Sequence, residues 1–208
     1  MRRAKDELRS ASPVQRPVKR GDHVVRIVGG AWKRSKLPVA DKPGLRPTPD
    51  RVRETLFNWL GQDLSGWRCL DAFAGSGALG FEAASRGAAQ VVLLERDADL
   101  VTSLQQSKQR LKAQAVQVER ADALSWMARG ANASFELVFL DPPFDAGLLD
   151  GALAAALRLV AGGGFVYVES PQALPAAPEG FGVHRHGRAG AVHFHLLRRL
   201  AGGLAPAA

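Results

Sequence analysis

Hydrophobic and polar positions follow two different rhythms along the chain. Beyond Leu64, short and nearly continuous apolar runs alternate with stretches whose apolar residues recur at helical spacing. The runs predict strands over Arg68–Phe73, Gln90–Glu95, Val116–Arg120, Leu137–Leu140 and Phe165–Val168. The periodic stretches predict helices over Leu79–Arg86, Asp97–Lys112, Ala123–Arg129 and Leu148–Val160. Strands that are apolar on both faces and separated by helices imply an α/β fold, a mostly parallel sheet covered on both sides. Near the end, "VHRH" and "AVHFHLL" around Gly187 and Gly190 predict a closing antiparallel hairpin, which brings the sheet to seven strands.

The first 64 residues read otherwise. From Met1 to Gly21 the chain is polar, basic and Pro-punctuated, which predicts an arm without fixed structure when unbound. In "HVVRIVGGAWKRSKLPV", two β-prone runs around Gly29 and Gly30 predict a small basic hairpin carrying Trp32, Lys33, Arg34 and Lys36 at its tip or flank. "RPTPDRVRETLFNWLG" predicts a helix with Thr48 as its cap, Pro49 in its first turn and Gly61 as its stop. Val52, Leu56, Trp59 and Leu60 give that helix one core-facing stripe. The expected organisation is an arm over 1–21, the hairpin and helix over 22–62, one α/β domain over 63–200 and a flexible tail over 201–208.

Charge changes this picture, and composition mainly bounds it. The net charge is +8; residues 1–36 hold eleven Lys or Arg against Asp6, Glu7 and Asp22, a balance of 11 − 3 = +8, while the remainder has seventeen of each sign. A basic arm on a neutral domain is the footprint of a polyanionic partner, most often nucleic acid. With 46% hydrophobic and 23% charged residues the chain is globular. It has no apolar run near the roughly 18 residues that span a bilayer and no apolar export signal, so a cytoplasmic protein is expected. The single cysteine, Cys69, excludes disulfide scaffolds and Cys-based zinc sites and reads as a buried, inert thiol.

"LDAFAGSGALG" carries the first chemistry. Gly75, Gly77 and Gly80 spell G-x-G-x-x-G after a strand, a loop that lets the backbone approach a ligand closely. Glu95 ends the next strand, where an acid can hold both hydroxyls of a ribose. These features indicate an adenosine-type cofactor without choosing between NAD and S-adenosylmethionine. Asp71 begins to choose: a carboxylate at the mouth of the loop repels a pyrophosphate and attracts an ammonium and a sulfonium. Asp122 can accept from an adenine amino group beside Ala123 and Leu124, and it can also cap the helix that follows.

"VFLDPPF" ends the fourth strand of the α/β region on the same edge of the sheet. Pro142 and Pro143 fix φ and remove two donors, which holds the local carbonyls rigid as acceptors. Asp141 adds a carboxylate and Phe144 an aromatic face. That set suits a planar group with an exocyclic amine, gripped through its N–H bonds while the ring stacks. Such a grip aims the nitrogen lone pair at a sulfonium methyl, so positioning supplies much of the acceleration.

Together "DAFAGSGALG" and the strand-final "DPPF" resemble the amino-methyltransferases that use S-adenosylmethionine. More closely, "RIVGGAWKRSKLPV", "GLRPTPDRVRETLFNWL", "CLDAFAGSGALGFEA", "FLDPPF" and "VYVES" resemble the bacterial family that methylates N2 of a guanine in 16S ribosomal RNA, over about Arg26 to Ser170. The resemblance implies a Rossmann-like class I fold. It also implies that Asp71, Gly75 and Gly77 hold the methionine part of the cofactor, Glu95 the ribose, and Asp122 with Ala123 the adenine. Thr48, Phe73 and Arg96 are expected to complete the cofactor side, and Asp141, Pro142, Pro143 and Phe144 to surround the target guanine. Trp32, Lys33, Arg34, Lys36, Arg46 and Arg51 are the expected RNA contacts. The partner implied is 16S rRNA in an assembling or assembled small subunit, the protein acting as a monomer. An amino-methyltransferase acting on DNA or another RNA fits the same tetrapeptide, but DNA enzymes of this kind usually add a target-recognition domain. His184, His186, His193 and His195 alternate on the closing hairpin and could face one another as metal ligands. They are read instead as a polar face opposite Val192, Phe194 and Leu196, because methyl transfer needs no metal.

Overall fold

A computed structural model describes residues 24–42, 47–144 and 147–200. The expected arm over 1–21, the tail over 201–208 and Arg46 lie outside the described residues. The N-terminal hairpin pairs β1 (Val24–Arg26) with β2 (Lys36–Pro38), and Val25 and Leu37, opposite each other, are both buried. Helix α1 (Asp50–Leu60) follows. The α/β region then runs β3 (Arg68–Asp71), α2 (Ala78–Ser85), β4 (Gln90–Glu95), α3 (Ala98–Leu111), β5 (Val116–Arg120), α4 (Ala123–Arg129), β6 (Phe135–Leu140), α5 (Leu149–Leu159) and β7 (Val160–Ser170). Strands β8 (Phe181–Ala189) and β9 (Val192–Arg199) close it as a hairpin.

The seven-stranded sheet has the order β5-β4-β3-β6-β7-β9-β8. Strands β3 to β7 are parallel to their neighbours, and β9 lies antiparallel between β7 and β8. The chain leaves β3 toward β4 and β5, then returns to lay β6 on the other side of β3. The carboxyl ends of β3 and β6 therefore form the switch point, where an open α/β sheet has its crevice. One core layer joins β1, β2, α1, α2 and α3 to one face through Ile27, Leu56, Phe57, Phe81 and Leu104. The other packs α4 and α5 on the opposite face through Met127, Leu153, Ala156 and Leu159.

Three local expectations are corrected. Thr48 does not cap α1: Pro49 occupies the N-cap without a side-chain cap bond, and the Thr48 hydroxyl donates instead to Glu169 Oε1 at 2.6 Å. A buried carboxylate without a donor is costlier than an uncapped helix start that water can reach. In the α1 stripe, Phe57 is fully buried while Trp59 stands at the margin, stacked on Phe194 with ring centroids 5.3 Å apart. Strand β7 is longer than Phe165–Val168: it starts at Val160, takes up Gly162, Gly163 and Gly164 in an irregularity between the Val160 and Phe165 pairings, and runs on to Glu169 and Ser170 against β9. Gly164 permits this: a Cβ there would stand 2.8 Å from the Glu136 carbonyl oxygen.

A buried polar anchor fixes the N-terminal hairpin. Glu82 of α2 is fully buried, and its carboxylate accepts from the backbone N–H groups of Val28 (2.8 Å) and Gly29 (2.7 Å), from Arg53 Nη1 (3.0 Å) and from Arg86 Nε (3.0 Å). The turn that follows is held by Ser85, whose carbonyl takes the Ala31 N–H and whose hydroxyl oxygen takes the Trp32 N–H. Breaking such a buried pair by removing one partner costs about 3–5 kcal/mol.

Candidate active site

The loop after β3 is shaped by its glycines. Gly75 (φ 51°) and Gly77 (φ 77°) are left-handed, and a Cβ on Gly77 would lie 2.6 Å from the Phe81 ring. Gly80 serves the packing of the helix: a Cβ there would strike Leu93 of β4 at 2.1 Å, so its absence lets α2 lie close on the sheet. The acids around the loop are tied to backbone donors. Asp71 Oδ2 accepts the Gly80 N–H at 3.0 Å in the first turn of α2. Glu95 accepts the Gly75 N–H at 3.0 Å and the Asp97 N–H at 2.9 Å. A carboxylate thus already occupies a helix-start donor that a bound pyrophosphate would use, which argues against a dinucleotide.

Burial pushes the Asp71 carboxyl up to about 7, only partly offset by the Gly80 N–H, with the charge of Glu95 adding to the rise. Asp122 is the N-cap of α4 and accepts the Ser125 N–H at 2.9 Å, in line with one of the two roles its position allows. Ser125, through its hydroxyl and its backbone N–H, holds Asp122 below the usual carboxylate range, and the nearby Arg96 charge acts in the same sense. Phe73 packs against the α4–α5 layer and Ala123 is the buried first residue of α4.

Across the switch point, Asp141 follows β6 directly and heads the DPPF turn. Pro142 is buried, whereas Phe144 is 44% exposed. Pro142, Pro143, Phe144, Leu148, Glu169 and Pro171 are among the residues lining a cavity of about 200 Å³. That is below the roughly 300–1,000 Å³ of a pocket for a drug-sized ligand and suits one flat base. Glu169 is a site residue that sequence reasoning misses. It is buried, and its Oε1 accepts the Thr48 hydroxyl at 2.6 Å and the Tyr167 hydroxyl at 2.9 Å. Burial raises Asp141 well above the usual carboxylate range, and the Glu169 charge and then the Asp71 charge raise it further. Burial also raises Glu169, against the lowering effect of its two hydroxyl donors. Among the described residues no Lys or Arg forms an ion pair with Asp71, Asp141 or Glu169. The crevice gathers three acids, and burial raises the proton affinity of each.

The remaining candidates lie apart. Lys33, Arg34 and Lys36 are exposed on the hairpin and Arg51 on α1. Trp32 is half-buried against the core, and its turn is fastened at the last residue of α2, the end remote from the glycine loop. On the closing hairpin the imidazoles of His186 and His195 stack at 4.4 Å, and His186 Nε2 meets His193 Nδ1 at 3.0 Å. His184 is turned away by the register shift between Val183 and Arg185 and packs on Phe165. Stacked rings do not converge on a point, and among the described residues no three His, Cys, Asp or Glu could hold a metal ion. Cys69 is buried within β3, and burial pushes its thiol up, away from reactivity. No helix among the described residues is long and apolar enough to cross a membrane.

Known proteins resemble this arrangement over most of its length. Residues 25–198 match the family described as conserved hypothetical protein 95. Ribosomal RNA small subunit methyltransferase D of Escherichia coli strain K12 is 43% identical over 194 residues, 91% of this chain and 98% of that protein. The protein of the same name from Haemophilus influenzae is 39% identical over 191 residues, 89% of this chain and 98% of that one. Among solved structures, a putative methyltransferase from Escherichia coli superposes with a TM-score of 0.78 at 41% identity, covering 86% of this chain and 99% of that one. A doubly wound sheet with an acid-flanked glycine loop facing a DPPF turn, in a chain this similar to those proteins, leaves one assignment: it belongs to the ribosomal RNA small subunit methyltransferase D family.

Proposed function

We propose that the protein transfers a methyl group from S-adenosylmethionine to the exocyclic N2 amine of a guanine in 16S rRNA, within an assembling or assembled small subunit. It acts as a monomer in the cytoplasm. The observation that carries this reading is the meeting, at one switch point, of a glycine loop flanked by unpaired acids with a DPPF cavity sized for one base.

The residues fit the cofactor. Left-handed Gly75 and Gly77 allow close backbone approach, and the buried, unpaired Asp71 suits a cation. Asp71, Gly75 and Gly77 hold the methionine part with Thr48 and Phe73 nearby, Glu95 takes the ribose hydroxyls, and Asp122, Ala123 and Arg96 border the adenine. When bound, S-adenosylmethionine supplies an electrophilic methyl on a sulfonium. The chain does the rest: Asp141 and the Pro142 carbonyl accept the N2 hydrogens, Pro143 stiffens the turn and the exposed face of Phe144 stacks on the base. The N2 lone pair forms the new C–N bond as the C–S bond breaks. Asp141, raised by burial, takes the proton that the alkylated amine releases and passes it to water. Lys33, Arg34, Lys36 and Arg51 contact RNA phosphates, and Trp32 braces the turn that carries the first two.

Labelled S-adenosylmethionine offered with small subunits, naked rRNA and DNA, followed by nucleoside analysis, tests the assignment. The expected product is N2-methylguanosine in rRNA; label confined to DNA overturns it.

A further inference from the structure

The unassigned group in the crevice is Glu169. In the parallel pair β6–β7, Val138 lies opposite Val166, Phe139 opposite Tyr167 and Leu140 opposite Val168. One more step in the same register sets Asp141 opposite Glu169, at the carboxyl ends of strands about 4.8 Å apart. The Glu169 charge is the strongest neighbouring charge acting on Asp141. Glu169 also borders the base-sized cavity with Pro142, Pro143 and Phe144. Its Oε1 is taken by the hydroxyls of Thr48 and Tyr167, which fix the carboxylate in place, while its Oε2 has no protein donor among the described residues. A carboxylate only 5% exposed, clamped on one oxygen and open on the other, is a built acceptor site.

Two adjacent acceptors match one nucleobase edge. Guanine presents N1–H and N2–H side by side, two donors in a row. Adenine and cytosine each place a ring-nitrogen acceptor next to their amine, and that lone pair would face the second carboxylate with no hydrogen between them. Resting on the assignment of a guanine-N2 substrate, we infer that Glu169 is the specificity-determining residue of the site, its Oε2 accepting guanine N1–H while Asp141 accepts N2–H. Thr48 and Tyr167 are then positioning residues, since they reach the base only through Glu169. The arrangement also explains why the Thr48 hydroxyl points inward and leaves the start of α1 uncapped.

The test uses small subunits reconstituted with 2-aminopurine at the position that the wild-type protein methylates. This base keeps the N2 amine, replaces N1–H by a lone pair and lacks O6, so the change of ratio in the Glu169 variant reads the N1–H contact. Wild-type protein should favour guanine over 2-aminopurine by about 10- to 100-fold in kcat/KM, the worth of a hydrogen bond to a charged group. Glu169→Gln can keep its carbonyl oxygen on Thr48 and Tyr167 and turn its amide hydrogens toward the cavity. It should lose most guanine turnover, bring the guanine to 2-aminopurine ratio to one or below, and retain wild-type affinity for S-adenosylmethionine. Equal wild-type turnover of both bases, or an unchanged ratio in the variant, overturns the role of Glu169. No methylation of guanine by wild-type protein would instead overturn the underlying assignment. The wild-type comparison of the two bases stands even if the variant fails to fold.

Discussion

The two sides of the crevice are built in opposite ways. On the proposed cofactor side each acid is held by a backbone donor within twenty residues of chain: Asp71 by Gly80, Glu95 by Gly75 and Asp97, Asp122 by Ser125. On the substrate side the acids are held by burial and by side chains from afar, with Thr48 reaching Glu169 across 121 residues of chain. Backbone N–H donors favour the charged carboxylate, whereas desolvation favours the neutral one. Asp122, held first by the Ser125 hydroxyl and then by its N–H, lies below the usual carboxylate range, and buried Asp141 and Glu169 lie above it. The difference fits the division of labour. A group that faces a cofactor through many turnovers gains from a settled charge, and a group beside an amine that sheds a proton gains from a raised proton affinity.

The largest effect should come from the substrate side. Asp141→Ala removes the acceptor that aims the amine, a loss on the scale of one preorganised electrostatic contact, so turnover should fall by about 100- to 1,000-fold. Binding of S-adenosylmethionine, followed by calorimetry, should stay at the wild-type level. Wild-type turnover in this variant would erase the distinction between the two sides.

Glu95→Ala probes the opposite side and should do the reverse. Loss of a charged acceptor for the ribose hydroxyls should weaken cofactor binding by about 10- to 100-fold, and turnover at saturating cofactor should be far less affected. The Gly75 and Asp97 N–H groups would then turn to water, so part of the loss reflects a looser loop. A fall in saturated turnover with unchanged affinity would place Glu95 on the wrong side of the comparison.

The same contrast explains what is legible in the sequence. The cofactor side is a local motif: strand, glycine turn and helix set Asp71, Gly75, Gly77 and Gly80 within ten residues, and Glu95 and Asp122 recur where the next two strands end. Strands β4 and β5 and helix α4 match their expected bounds to the residue, because each is a single apolar run or turn pattern. Glu169 escapes for a physical reason. The apolar run of β7 stops at Val168, so the expected strand ends there, one residue short of Glu169, although the pairing with β9 continues through Glu169 and Ser170. Arg53 and Glu82 escape because an ion pair 29 residues apart leaves no periodicity. The one available signal is a lone charge inside "LGFEAA", where the pattern calls for an apolar residue.

Asp71 is the exception that can sharpen the comparison, since it has a backbone donor and is nevertheless pushed up to about 7 by burial. Its raised value in the folded protein means that the protonated form is the stabilised one. Its contribution to stability is present below about pH 4, the ordinary carboxylate value, and is lost as pH rises toward about 7. The ligand-free protein should therefore become easier to melt over that interval as far as this group is concerned. Cofactor binding should move the other way, because the ionised form is the one that attracts an ammonium and a sulfonium. Affinity for S-adenosylmethionine should tighten by up to about tenfold between about pH 6 and 8, one unit of pKa being worth roughly a factor of ten. The ligand's own amino group loses its proton near the top of that range, at about 7.7–8.0, so Asp71→Asn supplies the baseline. Titration calorimetry of both proteins across the interval measures the difference. If the two affinities run parallel at every pH, Asp71 serves only to hold the first turn of α2 through Gly80.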